Sequence, residues 1–330
     1  MSERSDGAVQ CAEQRIDIAF GTSREYAPHM AAGIASIVRF TKPAGLRFII
    51  LHEGISEERQ AEIESVAPGA CFYWRTISDT DVPQYCNREH FSRPILYRLA
   101  LDKLAPLDCR RVIYLDTDLL LCRDIRELWA TDLGGYSLAA VIDCNIDPRM
   151  FAEKWKLKKP SVGYLNSGVL IVDLDRVRAE RSFAAAMKFV SEHGHECLYA
   201  DQDALNYVFW NHWRMLAPRW NAQRYMVVPA LSKELPQDLQ FHHRLPAVVH
   251  FTGPEKPWDC NGYHPWAWLY WRHIRSTPFA REIAAKGRIG RLLRLRYWLR
   301  WLYRKPTHSS VSLEREIISP PGARRAQILF

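Results

Sequence analysis

Asp116 and Asp118 are the residues whose type and spacing point most directly to chemistry. They sit inside the run Arg111 to Leu121, RVIYLDTDLLL. Val112, Ile113, Tyr114 and Leu115 form an unbroken series of β-formers, the pattern of a strand buried on both faces of a largely parallel sheet. Ligands of open α/β sheets bind at the carboxyl ends of the strands, so two carboxylates two residues apart at such an end face a crevice. Hard oxygen ligands there suit Mn2+ or Mg2+, and such ions usually complete their shell with substrate phosphate oxygens. Taken alone, the pair also reads as two solvated turn residues.

Three later segments carry further candidates. Ala247 to Phe251 is a short β-like run holding His250, followed by Thr252-Gly253-Pro254-Glu255-Lys256-Pro257-Trp258. That histidine is either a satisfied structural residue or one placed to set an imidazole on a metal, with Lys256 on a phosphate. Asn166, read as lying in a turn beside Gly168, either caps backbone or touches ligand. Asp201-Gln202-Asp203 precedes the apolar stretch Ala204 to Trp210 and by itself reads as a helix N-cap with favourable first-turn charge.

The elements that must position these residues alternate in type. A strand is expected over Ile16 to Phe20 with a turn at Gly21-Thr22-Ser23, then a helix in which Met30, Ile34 and Ile37 share one face. A strand over Leu46 to Leu51 leads to a helix capped by Ser56. Cys71 to Trp74 is a third strand, and Pro94 to Leu99 opens a helix leading into the central strand. Ile125 to Trp129 reads as a short helix, Leu138 to Ile142 as a strand ending at Asp143, Val169 to Val172 as another strand, and Phe183 to His193 as a helix. This alternation predicts a parallel, doubly wound α/β sheet.

At 330 residues with 48% hydrophobic side chains, the chain can bury one large α/β domain with appendages. The formal charge of +8 implies acidic partners: phosphorylated metabolites, nucleic acid or an anionic membrane. Eight scattered cysteines without a CxxC pair suit reduced thiols in a cytosolic compartment. The opening MSERSDGAVQCAEQR lacks the apolar core of a signal peptide, and no window offers the apolar run of about 20 residues a spanning helix needs. Contact with a membrane is therefore expected to be peripheral.

Six motifs, in order and register over roughly Ile16 to Trp271, resemble the retaining glycosyltransferases of family 8, in particular bacterial lipopolysaccharide α-galactosyltransferases. They are YLDTD at Tyr114 to Asp118, LW-x-TDLGG at Leu128 to Gly135, ID ending at Asp143, YLNSGVL at Tyr164 to Leu170, DQDALN at Asp201 to Asn206, and HF-x-G-x-x-KPW at His250 to Trp258. The resemblance implies a GT-A type fold with a mostly parallel, Rossmann-like central sheet. It also implies a UDP-sugar donor, UDP-galactose or UDP-glucose, and an oligosaccharide or glycolipid acceptor.

Carried over by the same resemblance, Asp116, Asp118 and His250 would bind Mn2+ (or Mg2+). Gly253 and Lys256 would hold the pyrophosphate, and His90 and Arg98 would lie along the nucleotide sugar. Gly21, Ser23, Tyr26, Asp116, Thr117, Ser167 and Trp258 complete the expected substrate contacts. Asp143, Asn166, Asp201 and Gln202 would surround the hexose, with Gln202, Asp201 and Asp143 as the catalytic set. The family has an acidic residue meeting the base where this chain has Ser23. The amide of Gln202 is a poor nucleophile, which favours same-face attack, with Gln202 and Asp201 stabilising developing positive charge.

The expected organisation is a flexible tail over 1–15, the glycosyltransferase domain over 16–275, a basic amphipathic segment over 276–305 and a disordered tail over 306–330. In REIAAKGRIGRLLRLRYWLRWLYRK, Leu292, Leu295, Leu299 and Leu302 make one stripe amid arginines and aromatic residues. That pattern fits an anchor in an anionic membrane surface better than a packed helix or nucleic-acid binding, and it places the protein on the cytoplasmic face of the bacterial inner membrane. Two rival readings stay in view. A DxD phosphohydrolase of the haloacid dehalogenase type also places aspartates after a buried strand, although Leu120 departs from its motif. The other rival is a non-catalytic membrane-associated binding module.

Overall fold

The computed structural model describes residues 15–82, 93–242, 244–258 and 264–286. Its centre is a seven-stranded sheet of β1 (Ile16–Ser23), β2 (Leu46–Glu53), β3 (Cys71–Thr76), β4 (Arg111–Leu115), β6 (Leu138–Ile142), β7 (Leu165–Asp173) and β8 (Arg214–Met215), ordered β3-β2-β1-β4-β7-β6-β8. Strands β5 (Leu119–Leu121) and β9 (Val248–His250) form a separate antiparallel pair. The sheet is mostly parallel, as the alternation of elements implied. Strand β7 departs from this, running antiparallel to both neighbours, β4 and β6.

Successive residues of each strand enter opposite cores, as the two-residue period of a pleated sheet dictates. Ile18, Phe20, Phe48, Ile50, Ile113, Leu115, Val169 and Ile171 belong to one core, and Ala19, Ile49, Leu51, Val112, Tyr114, Leu170 and Val172 to the other. On the first side lies helix α1 (Ala27–Phe40), which buries Met30, Ile34 and Ile37 completely. Each such side chain contributes roughly 1.5–3 kcal/mol of burial. Ser56 caps α2 (Glu57–Glu64), its Oγ accepting from the Arg59 N–H at 3.4 Å. The second side is covered by α3 (Ser182–His193) and α4 (Ala200–Val208).

Several expected boundaries move. Residues 21–23 continue β1 and pair in register with Leu51, His52 and Glu53 of β2, so no turn forms there. The segment Arg93–Ala100 is a 3-10 helix. Asn166 lies inside β7 and not in a turn, and Asp201 to Asp203 lie inside α4 and not before it. Packing also continues past residue 275: helix α5 (Ala267–Ile274) is followed by α6 (Ala280–Lys286), and Phe279 and Ile283 are buried in the first core. Arg59 pairs with Glu282 across this contact. The expected leucine stripe, the disordered tail and the tail 1–14 lie outside the described residues. Among the described residues, no helix is long and apolar enough to cross a membrane.

Candidate active site

Chain order reverses about β1, since β2 and β3 extend the sheet to one side and β4 to the other. Such a switch point opens a crevice at the carboxyl ends of the two central strands. Asp116 follows β4 at that position, where its N–H donates to the Gly168 carbonyl of β7 at 2.9 Å. After the turn at Thr117 and Asp118, the chain returns as β5 and pairs with β9 so that Leu119 lies opposite His250. The Phe251 N–H donates to the Asp118 carbonyl at 2.9 Å. Two residues distant in sequence by more than 130 positions are thus locked together by three rungs of antiparallel ladder.

His250 Nε2 lies 3.2 Å from Asp118 Oδ1 and 3.7 Å from Asp116 Oδ2. One ligand atom from each of the three residues falls within 4.8 Å of the others. Gly168 lies against this cluster. A Cβ added there would come 2.1 Å from His250 Cε1 and 2.9 Å from Asp116 Oδ2, so only glycine admits the imidazole and carboxylate side by side. Two carboxylates and an imidazole nitrogen form a donor set for Mn2+ or a similar divalent ion, and the cradle fits that group.

Two cations hold the carboxylates in place. Arg98 is 4% exposed; its Nη2 donates to Asp116 Oδ1 at 2.7 Å, its Nε lies 3.1 Å from Asp201 Oδ2, and its Nη1 donates to the Ser167 carbonyl. Tyr114 Oη also donates to Asp116 Oδ1, at 3.1 Å, beneath the Arg98 guanidinium. Lys256 Nζ bonds Asp118 Oδ2 and, at 2.8 Å, the Phe251 carbonyl. Burial disfavours ionisation of Asp118, but the Lys256 ammonium and His250 outweigh it and hold its carboxyl well below the usual range. Asp116 is pushed up by burial, against the pull of Arg98 and His250.

Beside this cluster, buried amides make a polar floor. Asp143 Oδ2 accepts from both Asn166 Nδ2 and Gln202 Nε2, each at 3.0 Å. Gln202 Oε1 accepts from the Ser167 N–H at 3.0 Å, and Ser167 Oγ donates to Asp201 Oδ2 at 2.9 Å. Asp201, Gln202, Asn166 and Ser167 are each 5–6% exposed. Their placement inside elements follows from this bonding. Asp203, which would otherwise strain a buried helix turn, accepts from Tyr164 Oη and the Leu198 N–H.

Of the remaining expected contacts, Gly21 lies on β1, where an added Cβ would meet Tyr97 Cβ at 3.0 Å. Ser23 ends that strand, and its Oγ accepts from the Tyr26 N–H at 3.4 Å. Thr117 is half-buried at the tip of the Asp116 to Asp118 turn, and Gly253 lies in the loop after β9. Trp258 turns inward. Trp258 is buried, stacked on His29 with ring centroids 3.7 Å apart, and Tyr26 meets its edge; both tie α1 to the loop after β9. Arg98 likewise faces inward, its guanidinium occupied by the groups named above. His90 lies outside the described residues.

Asn221 is the site residue the sequence reading missed. It is fully buried, its Nδ2 donates to Asn166 Oδ1 at 2.8 Å, and its Oδ1 faces His250 Nδ1 at 2.8 Å. A single asparagine in the irregular stretch LAPRWNAQRY carries no periodic or motif signal. Among the cysteines, burial pushes the thiols of Cys109, Cys122, Cys144 and Cys197 up to about 12, which leaves them unsuited to nucleophilic work at neutral pH.

With this geometry in place, comparison with known proteins is decisive. The family model described as Glycosyl transferase family 8 matches residues 17–262. The chain belongs to glycosyl transferase family 8. Among its relatives, General stress protein A of Bacillus subtilis is 28% identical over 77% of this chain and 91% of its own. The lipopolysaccharide 1,2-glucosyltransferase of Escherichia coli K12 is 24% identical over 80% of this chain and 79% of its own. The galactosyltransferase LgtC, solved in complex with donor and acceptor sugar analogs, superposes with a TM-score of 0.69 and 26% identity, covering 80% of this chain and 96% of LgtC. This family 8 glycosyltransferase is thus related to enzymes of lipopolysaccharide assembly and shares the GT-A type architecture of LgtC.

Proposed function

We propose that the protein is a metal-dependent, retaining hexosyltransferase that moves galactose or glucose from a UDP-sugar to a saccharide acceptor, lipopolysaccharide or another cell-surface glycolipid. The observation that carries this reading is the convergence of Asp116, Asp118 and His250 within 4.8 Å beside Lys256. These three residues would hold Mn2+ or Mg2+. When bound, such an ion acts as the Lewis acid that stabilises charge on the departing diphosphate, so no protein general acid is needed.

The chain's own groups have distinct parts. Lys256 neutralises Asp118 in the resting site and is placed, with Gly253, to meet the diphosphate. Gly21, Ser23 and Tyr26 border the nucleoside end at the top of β1. Asp143, Asn166 and Gln202 present the floor under the hexose, and Gln202 is the group set to stabilise positive charge at the anomeric carbon during same-face attack. Asp201 is committed to Arg98 and Ser167, and we therefore place it as a positioning residue.

The basic segment beyond residue 286 would bring the enzyme to an anionic membrane surface. Sedimentation with anionic liposomes is expected for the full chain and is lost when the chain stops after Lys286, which spares the packed Phe279 and Ile283. The reaction is tested by screening UDP-sugars with Mn2+ and no acceptor. Release of UDP from UDP-galactose or UDP-glucose supports the reading. Release of inorganic phosphate from general phosphatase substrates, with no UDP from any donor, would favour the phosphohydrolase and overturn it.

A further inference from the structure

We infer that Asn221 is a positioning residue that sets the tautomer of His250 and so makes its Nε2 the ligand atom of the cation site, an inference that rests on the metal-dependent reading above. The assignment starts from a group whose role is unambiguous. The Gly168 backbone N–H can only donate, and it meets Asn166 Oδ1 at 3.1 Å. The other amide atom of Asn166 is therefore its NH2, which fits the Asp143 carboxylate at 3.0 Å. Asn166 Oδ1 also faces Asn221 at 2.8 Å and can only accept, so the Asn221 atom there is its Nδ2. Its Oδ1 is then turned toward His250 Nδ1 at 2.8 Å, and the ring must donate from that nitrogen.

The consequence falls on the far side of the ring. With the proton on Nδ1, neutral His250 aims an Nε2 lone pair at two carboxylates 3.2 and 3.7 Å away. A lone pair against a carboxylate is repulsive unless a proton or a metal ion lies between, and with the ring's other nitrogen committed to Asn221 it is Nε2 that exchanges its proton for a metal, so the amide chain prepares the site for one. Backbone pairing keeps the chain in place. The Ala222 N–H donates to the Val248 carbonyl at 3.0 Å and the His250 N–H to the Ala222 carbonyl at 3.1 Å, which lays Asn221 along β9. The Asn221 side chain is wholly enclosed, so bulk solvent does not reach it to compete for His250 Nδ1. Hydrogen bonds to the distal nitrogen of a ligating histidine fix ring and tautomer, and their loss weakens metal affinity about 10- to 100-fold.

Two measurements on the full chain test this. In 15N imidazole spectra of the metal-free wild type at pH 8, the His250 signal, identified by its loss in His250→Asn, is expected to show a protonated Nδ1 and a bare Nε2. Mn2+ binding is then followed by electron paramagnetic resonance in the presence of UDP. Asn221→Leu should weaken it about 10- to 100-fold. Asn221→Asp, which keeps an acceptor at Nδ1 but gives up the Nδ2 donor to Asn166, should retain the tautomer and bind Mn2+ more tightly than Asn221→Leu; a purely structural asparagine would tolerate a buried carboxylate no better than leucine. A bare Nδ1 in the wild type, or Asn221→Leu binding Mn2+ within about twofold, overturns the inference. A wild type that binds no Mn2+ overturns the metal reading itself, which the spectra then separate from the tautomer.

Discussion

The two ends of the central sheet treat charge in opposite ways. At the amino ends of β1 and β2, Asp17 accepts from Arg15 at 3.0 Å and from Arg47 at 2.8 Å, and both arginines also reach Asp108. Two carboxylates face two guanidinium groups, and the cluster closes on itself. At the carboxyl ends, Asp116, Asp118, Asp143 and Asp201 share a bonded array in which, among the described residues, Arg98 and Lys256 supply the Lys and Arg charges. A buried array with surplus negative charge is stable only if something positive is supplied from outside. The amino end holds the fold together, and the carboxyl end, on our proposal, takes up a cation. Charged clusters of similar size thus differ in function through their balance, not their residue types.

The comparison can be broken at either end. The largest effect is expected from Asp118→Asn, which should lower transferase turnover about 10^3-fold or more while circular dichroism stays unchanged. Retained turnover would mean that the surplus charge is not used. Gln202→Ala comes next. Turnover should fall roughly 10^2-fold with donor Kd, read by calorimetry, within about twofold, because the amide acts on the transition state and not on donor binding. Full turnover in this variant would remove Gln202 from the reaction.

The amino end should respond in the other currency. Asp17→Asn is expected to cost about 2 kcal/mol in urea unfolding, as a buried hydrogen-bonded charge loses its role, and to leave kcat/KM unchanged below the unfolding temperature. A loss of activity without a loss of stability would erase the distinction between the two ends.

The effect confined to acid pH concerns a buried histidine away from both clusters. Burial, with Arg39 and Arg272 nearby, lowers His273 to about 3, and its Nε2 has no hydrogen-bond partner among the described residues. Its unfolded value is near 6.5, so the unfolded chain takes up a proton that the native state refuses. Stability is full above about pH 6.5 and is lost as pH falls toward 3, at up to about 1.4 kcal/mol per pH unit. His273→Phe should remove that one proton from the pH dependence of unfolding between pH 6 and 4; an unchanged slope would show that the native ring is already charged.

How much of this could be read in the chain depended on the kind of signal. Strand β4, strand β6 and the short helix Ile125–Trp129 were legible because apolar runs and an Asp cap mark them locally. The candidate cation ligands were legible as motifs. Their meeting was legible only through the resemblance, which set all three on one ion, because neither segment announces the three-residue pairing between β5 and β9 on which it rests. Residues 21–23 and Asn166 read as turns because glycine, serine and asparagine favour turns, yet pairing with β2 and burial among amide partners override that preference. Asp201 to Asp203 looked like a cap for the same local reason, whereas Arg98, Ser167 and Tyr164 satisfy the two aspartates inside the helix. Asn221 had no signal at all, because its role lies in which neighbour each amide atom faces.

The central claim is that Asp116, Asp118 and His250 hold one divalent cation at the switch point. Anomalous diffraction at the manganese edge from crystals soaked with Mn2+ and UDP tests it most directly. The account predicts a single peak liganded by both carboxylates and by His250 Nε2. A peak bound elsewhere, or none at this cluster with UDP in place, would contradict it.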